Sequence, residues 1–123
     1  MNLSVLKNSF AVSKLDSNAP IPSWATQGSI FSINKNEDEL SIVCEQENVP
    51  EGVKAEKDWR IFKVQGPLDF GLTGILASIS TPLAESKISI FAISTFDTDY
   101  VMVRAKDLEN ARLALSRAGF TII

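Results

Sequence analysis

Histidine is missing from all 123 residues of this chain, and cysteine occurs once, as Cys44. Without histidine there is no Ser-His-Asp or Cys-His catalysis and no imidazole ligand for a metal. A single cysteine makes no intrachain disulfide and no CxxC redox or metal pair. Cys44 lies in the alternating run Leu40-Ser41-Ile42-Val43-Cys44, which suits a small buried strand residue, and no basic neighbour in sequence activates it. Positive charge is scarce as well: 12 Lys and Arg against 15 Asp and Glu leave a net charge of −3. Nucleic-acid backbones need clustered bases, so no nucleic-acid partner is expected. No apolar run approaches the roughly 20 residues of a bilayer span, which argues against a membrane partner. The opening MNLSVLKNSF has neither the charged n-region nor the apolar h-region of a signal peptide, so a cytoplasmic location is expected. A carboxylate-only magnesium site has no recognisable spacing here, and no paired-carboxylate motif appears. The chain is therefore expected to have no catalytic residues, no metal and no cofactor.

What is present is an ordinary globular balance, 45% hydrophobic and 22% charged, in a length that suits one domain or two very small ones. Phe10 to Leu15 alternates as a half-buried strand does, and Asp16-Ser17-Asn18 ends it with turn residues. Pro20 and Pro22 leave room for one helical turn starting at Pro22, with Trp24 as a core plug. Ser29–Ile33 and Leu40–Cys44 flank the polar connector Asn34–Glu39 and read as a β-hairpin. Glu47 to Lys57 is polar and holds Pro50 and Gly52, which marks a boundary: 1–56 forms one half and 57–123 the other.

The second half is cleaner. Trp59 to Val64 is a strand, stopped by Gly66-Pro67. Asp69 is placed to cap a helix whose apolar stripe is Leu72, Ile75, Leu76, Ile79 and Leu83, with a kink or broken last turn at Pro82. Two strands, Ile88–Ile93 and Tyr100–Val103, flank the tip Thr95–Asp99. Asp107 precedes a second helix with Leu108, Ala111, Leu115 and Ala118 inward, Gly119 sits at C′, and Phe120–Ile123 closes as a strand. The order is β-α-β-β-α-β, an α+β ferredoxin-like unit with an antiparallel sheet and both helices on one face. The first half offers a truncated version of the same plan.

Two loops of that unit carry the chemistry. Free amides at a helix start, here Phe70 to Thr73, can receive an α-carboxylate, and Gly71 and Gly74 allow close approach. Asp69 could meet an α-ammonium, although capping competes for its oxygens. Backbone carbonyls near Ser94 and Thr95 could accept from the same ammonium. Asp97 and Asp99 offer negative charge to a cationic side chain. The bland alternative stands beside this: Asp69 as a cap only, and Thr95–Asp99 as a locally hydrogen-bonded hairpin tip. The Asp69-Phe70-Gly71 triplet is not a kinase element, because no glycine-rich lysine loop or phosphate-loop lysine accompanies it.

Gly66-Pro-Leu-Asp-Phe-Gly-Leu-Thr-Gly-Ile-Leu, followed by Ile93-Ser-Thr-Phe-Asp-Thr-Asp-Tyr-Val-Met-Val, resembles the small bacterial ACT-domain proteins. These are related to the CASTOR-type arginine sensors and to the ACT regulatory modules of aspartate kinases. Glu39 to Cys44 and Trp59 to Val64 fit the same group, so the resemblance covers nearly the whole chain. It implies a truncated ACT-like half at 1–56 and an ACT domain at 57–123. It also implies a non-catalytic, allosteric, amino-acid-binding regulator with its ligand held between ACT units of a homodimer. By position, Gly71 and Leu72 would supply the turn over the ligand, Thr95 and Phe96 would line the pocket, and Asp99 would meet a cationic side chain. Ligand identity and any protein target are left open. The competing reading is a structural or protein-interaction module with a vestigial pocket.

Overall fold

The computed structural model describes every residue of the chain except Phe70. The chain separates into two compact units: Met1–Lys7 with Arg60–Ile123, and Asn8–Trp59 between them in sequence. The first holds both α-helices, and we call it the helical unit. The second holds only single 3-10 turns, and we call it the turn unit.

The helical unit contains strand β1 (Asn2–Val5), the second part of β5 (Ala55–Val64), helix α1 (Ile75–Glu85), strands β6 (Ile90–Ser94) and β7 (Asp99–Arg104), helix α2 (Leu108–Arg117) and strand β8 (Thr121–Ile122). From β5 onward this is the expected βαββαβ series. Its strands order as β6-β7-β5-β1-β8, so β1 lies between the first and last strands of the series. Leu3 faces Val64 in the antiparallel β1–β5 ladder and Ile122 in the parallel β1–β8 ladder. The sequence did not show β1 as a strand of its own. Leu3 and Val5 alternate inward, but polar Lys7-Asn8 breaks the run before Phe10.

Alternation on the strands and helical spacing on the helices converge on one core. Leu3, Phe62, Val64, Val101 and Val103 project from the sheet onto Ile79 and Leu83 of α1 and Leu108, Ala111 and Leu115 of α2. Both helices thus cover the same sheet face. Leu72 is not part of that stripe: it lies ahead of α1 and is 52% exposed. Pro82 stands inside α1, which runs only one more turn. Each helix stops by the same device. The amide of Gly119 (φ 102) donates to Ser116 O and that of Phe120 to Leu115 O, the reciprocal bonding of a Schellman end. At the end of α1, Lys87 (φ 60) and Ile88 donate to Ala84 O and Leu83 O in the same way. A lysine therefore occupies a left-handed position that glycine fills without steric cost.

The turn unit runs β2 (Phe10–Leu15), a 3-10 turn at Ser23–Thr26, β3 (Ser32–Lys35), β4 (Leu40–Glu45), a second 3-10 turn at Gln46–Asn48, and the first part of β5. Its strand order is β3-β4-β2-β5. That is the ferredoxin-like order with each helix reduced to a single turn. Ala11, Leu40, Ile42 and Cys44 form its core with Ala25 and Val49, and Trp24 packs against them half-buried. The β3–β4 hairpin turns on Asn36, whose Oδ1 accepts from the amides of Asp38 (2.8 Å) and Glu39 (2.9 Å). Asp58 (φ 65) makes a bulge in β5 opposite Phe10 and Val12. Gln46 clamps it, its Oε1 accepting from Asp58 N at 2.6 Å and its Nε2 donating to Asp58 Oδ1 at 3.1 Å.

Candidate functional site

The site forms where the β5–α1 connection meets the β6–β7 tip. Three hydrogen bonds fix the meeting. The Leu68 amide donates to Asp97 O at 2.7 Å. The Thr98 hydroxyl, buried, donates to Val64 O at 2.7 Å, and Thr95 N donates to Thr98 O at 2.8 Å to close the tip. Gly66 matters for closeness, since a Cβ there would stand 3.0 Å from Leu68 N and 3.3 Å from Asp97 O. The two loops are therefore fastened by one backbone bond between them and by the Thr98 hydroxyl's bond to the end of β5.

Between them lies an open cleft of about 300 Å³. One wall is Leu68, Asp69, Leu72, Gly74, Ile75 and Leu76, and the other is the whole tip from Ser94 to Asp99. Of the residues expected in a ligand site, Asp69, Leu72, Ser94, Thr95, Phe96, Asp97 and Asp99 line this cleft. Gly71 and Thr73 are not among its lining residues, and Phe70 lies outside the described residues. Sequence reasoning missed Leu68, Ile75, Leu76 and Thr98 as walls. Gly74 was named only for close approach, and its larger role is conformational.

That role corrects the expected helix start. Helix α1 begins at Ile75 with Gly74 as N-cap in the left-handed region (φ 76), and no side chain caps it. Asp69 does not cap α1. Its Oδ1 accepts from Gly71 N at 3.0 Å and its carbonyl from Leu72 N at 3.0 Å, forming a separate turn ahead of the helix. Two of the amides expected to receive an anion, those of Gly71 and Leu72, are thus already bonded. The first intrahelical bond runs from Ser78 N to Gly74 O at 2.9 Å, so the first-turn amides without an intrahelical partner are those of Ile75, Leu76 and Ala77. Two of those three residues line the cleft.

The opposite wall is acidic. Ser94 Oγ donates to Asp99 Oδ1 at 2.5 Å across the β6–β7 pair, which orients the Asp99 carboxylate. Asp69 and Asp97 add two more carboxylates, and among the described residues no lysine or arginine lines the cleft. Phe96, 81% exposed, and Leu72 supply apolar surface at its rim. The cleft thus sets positive helix-end dipoles against fixed negative charge, with apolar edges.

Elsewhere, chemistry is sparse. Cys44 is fully buried, and burial first, then the neighbouring Glu45 carboxylate, pushes its thiol above the ordinary range. That makes it inert rather than nucleophilic. Among the described residues no group of histidine, cysteine, aspartate and glutamate is arranged to hold a metal. Among the described residues no helix is long and apolar enough to cross a membrane.

A profile of the ACT domain matches residues 54–117. The chain belongs to the ACT domain family. A second profile, described only as an N-terminal domain, matches residues 8–52. The chain is 35% identical over 89 residues to subunit 1 of the cytosolic arginine sensor for mTORC1 from Homo sapiens, covering 63% of this chain and 27% of that one. The Bos taurus protein of the same name is 29% identical over 98 residues, covering 71% of this chain and 30% of that one. This ACT protein therefore spans under a third of those relatives. A crystal structure of a protein from Agobacterium tumefaciens superposes with a TM-score of 0.94 at 40% identity, covering 99% of this chain and 91% of that chain. The ligand-free regulatory subunit of aspartate kinase from Thermus thermophilus superposes with a TM-score of 0.68 at 11% identity, over 95% of this chain and 96% of that chain, which is a likeness of fold.

Proposed function

We propose that this ACT protein is a non-catalytic regulator that binds a free amino acid in the cleft between Leu68–Leu76 and Ser94–Asp99, held between ACT units of a homodimer. The observation that carries the reading is the juxtaposition, in one cleft, of Asp99 with first-turn α1 amides that have no intrahelical partner. An amino acid is a dipole with a side chain. Its α-carboxylate suits Ile75, Leu76 and Ala77 amides, where the helix end is positive. Its α-ammonium suits the Ser94 and Thr95 carbonyls or Asp69, and a cationic side chain suits Asp97 and Asp99. The named relatives that are arginine sensors support an amino-acid ligand, and their being cytosolic supports a cytoplasmic location for this chain.

Regulation would follow from differential binding. A ligand that bridges two copies stabilises one arrangement of them over others, which is an allosteric shift. A thermal-shift screen of folded, ligand-free protein against the standard amino acids tests the proposal. A rise in melting temperature with at least one of them is expected. No shift with any, together with stable capture of a protein partner, would instead favour an interaction module whose pocket is vestigial.

A further inference from the structure

The turn unit holds a buried carboxylate far in sequence from the cleft. Glu45, the last residue of β4, is only 8% exposed although it is a charged residue type. Its Oε1 accepts from Asn8 Nδ2. Its Oε2 accepts no hydrogen bond and joins no ion pair among the described residues. Gly28 lies against that oxygen, and a Cβ there would overlap it. A carboxylate withdrawn from water is costly unless it is paired, and a single neutral amide does not balance its charge.

Glu45 lines an open pocket of about 240 Å³ with Asn8, Ser9, Gln46 and Glu47, all within the turn unit. Pockets for drug-sized ligands run to roughly 300–1,000 Å³, so this one suits a small occupant. Glu47, which is exposed, brings a second carboxylate, and among the described residues no lysine or arginine lines the pocket. The Gln46 side chain is already engaged by Asp58. Asn8 Oδ1 and Ser9 Oγ, by contrast, take part in no hydrogen bond among the described residues. The groups left over can all accept: Glu45 Oε2, Asn8 Oδ1, Ser9 Oγ and the Glu47 carboxylate. Magnesium and calcium ions take about six or more oxygen ligands, and no metal-holding group of three such side chains occurs among the described residues. A primary ammonium needs only three acceptors and offers none of its own.

We propose that this pocket binds a primary ammonium group on a short alkyl chain, with Glu45 Oε2 as its counter-ion. Asn8 Oδ1 and Ser9 Oγ accept its other N–H bonds, and Glu47 adds attraction at the rim. The site belongs to the turn unit alone, so it stands whether or not the cleft of the helical unit binds an amino acid. A free alkylamine and the lysine side chain of another protein both present this group.

Titration of isotopically labelled protein with butylammonium chloride, followed by NMR, tests the assignment. The amide signals of Ser9, Gln46 and Glu47 should shift saturably. Tetramethylammonium has the charge but no N–H donor, and it should shift them little. A capped tripeptide centred on lysine separates the two sources. Tighter binding than butylammonium points to a protein chain and weaker binding to a free amine, and either result upholds the site. Glu45→Gln keeps an acceptor for Asn8 and removes the charge, so it should weaken butylammonium about tenfold or more. Glu47→Gln, at an exposed position that leaves the fold intact, should weaken it about two- to fivefold. No shift at these amides overturns the proposal, and so does an equal response to tetramethylammonium. Shifts confined to residues 94–99, abolished by Asp99→Ala but not by Glu45→Gln, would move the ammonium to the cleft and overturn it as well.

Discussion

The two units follow one plan with opposite results. Each runs β-helical segment-β-β-helical segment-β, and each pairs its strands in the ferredoxin-like order, apart from the extra strand β1 in the helical unit. In the helical unit the connections carry apolar residues three and four apart, Ile75-Ile79-Leu83 and Leu108-Ala111-Leu115, which is enough to dock a helix on a sheet. In the turn unit the corresponding connections hold Pro20, Pro22 and Gly28 in one case and Pro50 and Gly52 in the other. They fold as 3-10 turns of four and three residues. A single turn has no row of free amides backed by a helix dipole, so among the described residues only the helical unit offers the helix start that the proposed site uses. The difference teaches that the proposed ligand chemistry depends on helix length as much as on loop residues.

The sharpest test of the comparison is Phe62→Ala. Phe62 is fully buried under both helices, and its truncation should cost about 3–5 kcal/mol in chemical denaturation. A loss under about 1 kcal/mol, well below that range, would mean that the helices are not what secures this unit.

The next-largest effect lies in the turn unit. Gly28 has φ 94, and a Cβ there would stand 2.3 Å from Oε2 of the nearly buried Glu45. Gly28→Ala should therefore cost roughly 2–4 kcal/mol, from left-handed strain plus displacement of the carboxylate. Gly52→Ala, at φ 89 but facing open space, should cost only about 1–2 kcal/mol. Equal costs at the two glycines would show that Glu45 packing is immaterial.

Asp99→Ala addresses the cleft. It should weaken a basic amino acid by roughly 1.5–3 kcal/mol, the worth of a charged hydrogen bond, and a neutral one far less. Equal loss for both would place the cationic group elsewhere. The smallest effect is a gain. Lys87→Gly relieves a left-handed lysine at the end of α1 and should stabilise the chain by about 1 kcal/mol in thermal unfolding. No gain would indicate that the Lys87 side chain makes a contact that offsets the strain.

Periodicity made most of the fold legible. Ile79 and Leu83 of α1, Ala111 and Leu115 of α2, and Leu40 and Ile42 of β4 are all buried where their sequence spacing directs them. The Gly119 end of α2 was legible for the same reason, because a left-handed C′ position selects glycine. The start of α1 was not. Leu72 continues the 3–4 spacing of Ile75, Leu76 and Ile79, and Asp69 has the chemistry of a cap. Yet Asp69 satisfies a nearer amide, Gly71, and Gly74 turns the chain left-handed before the helix begins. Local hydrogen bonding won over helical propensity there. The cleft's two loops could be named from sequence, but their fastening through Leu68, Asp97, Thr98 and Val64 depends on strand pairing that no local pattern encodes.

The proposed amino-acid site in this cleft is open to direct measurement. Calorimetric titration of ligand-free, folded protein with each standard amino acid measures it directly. Saturable heat with one ligand per chain for at least one of them, lost on Asp99→Ala if that ligand is basic, is the predicted result. Heats no larger than dilution for every amino acid, from protein whose circular dichroism shows it folded, would contradict it.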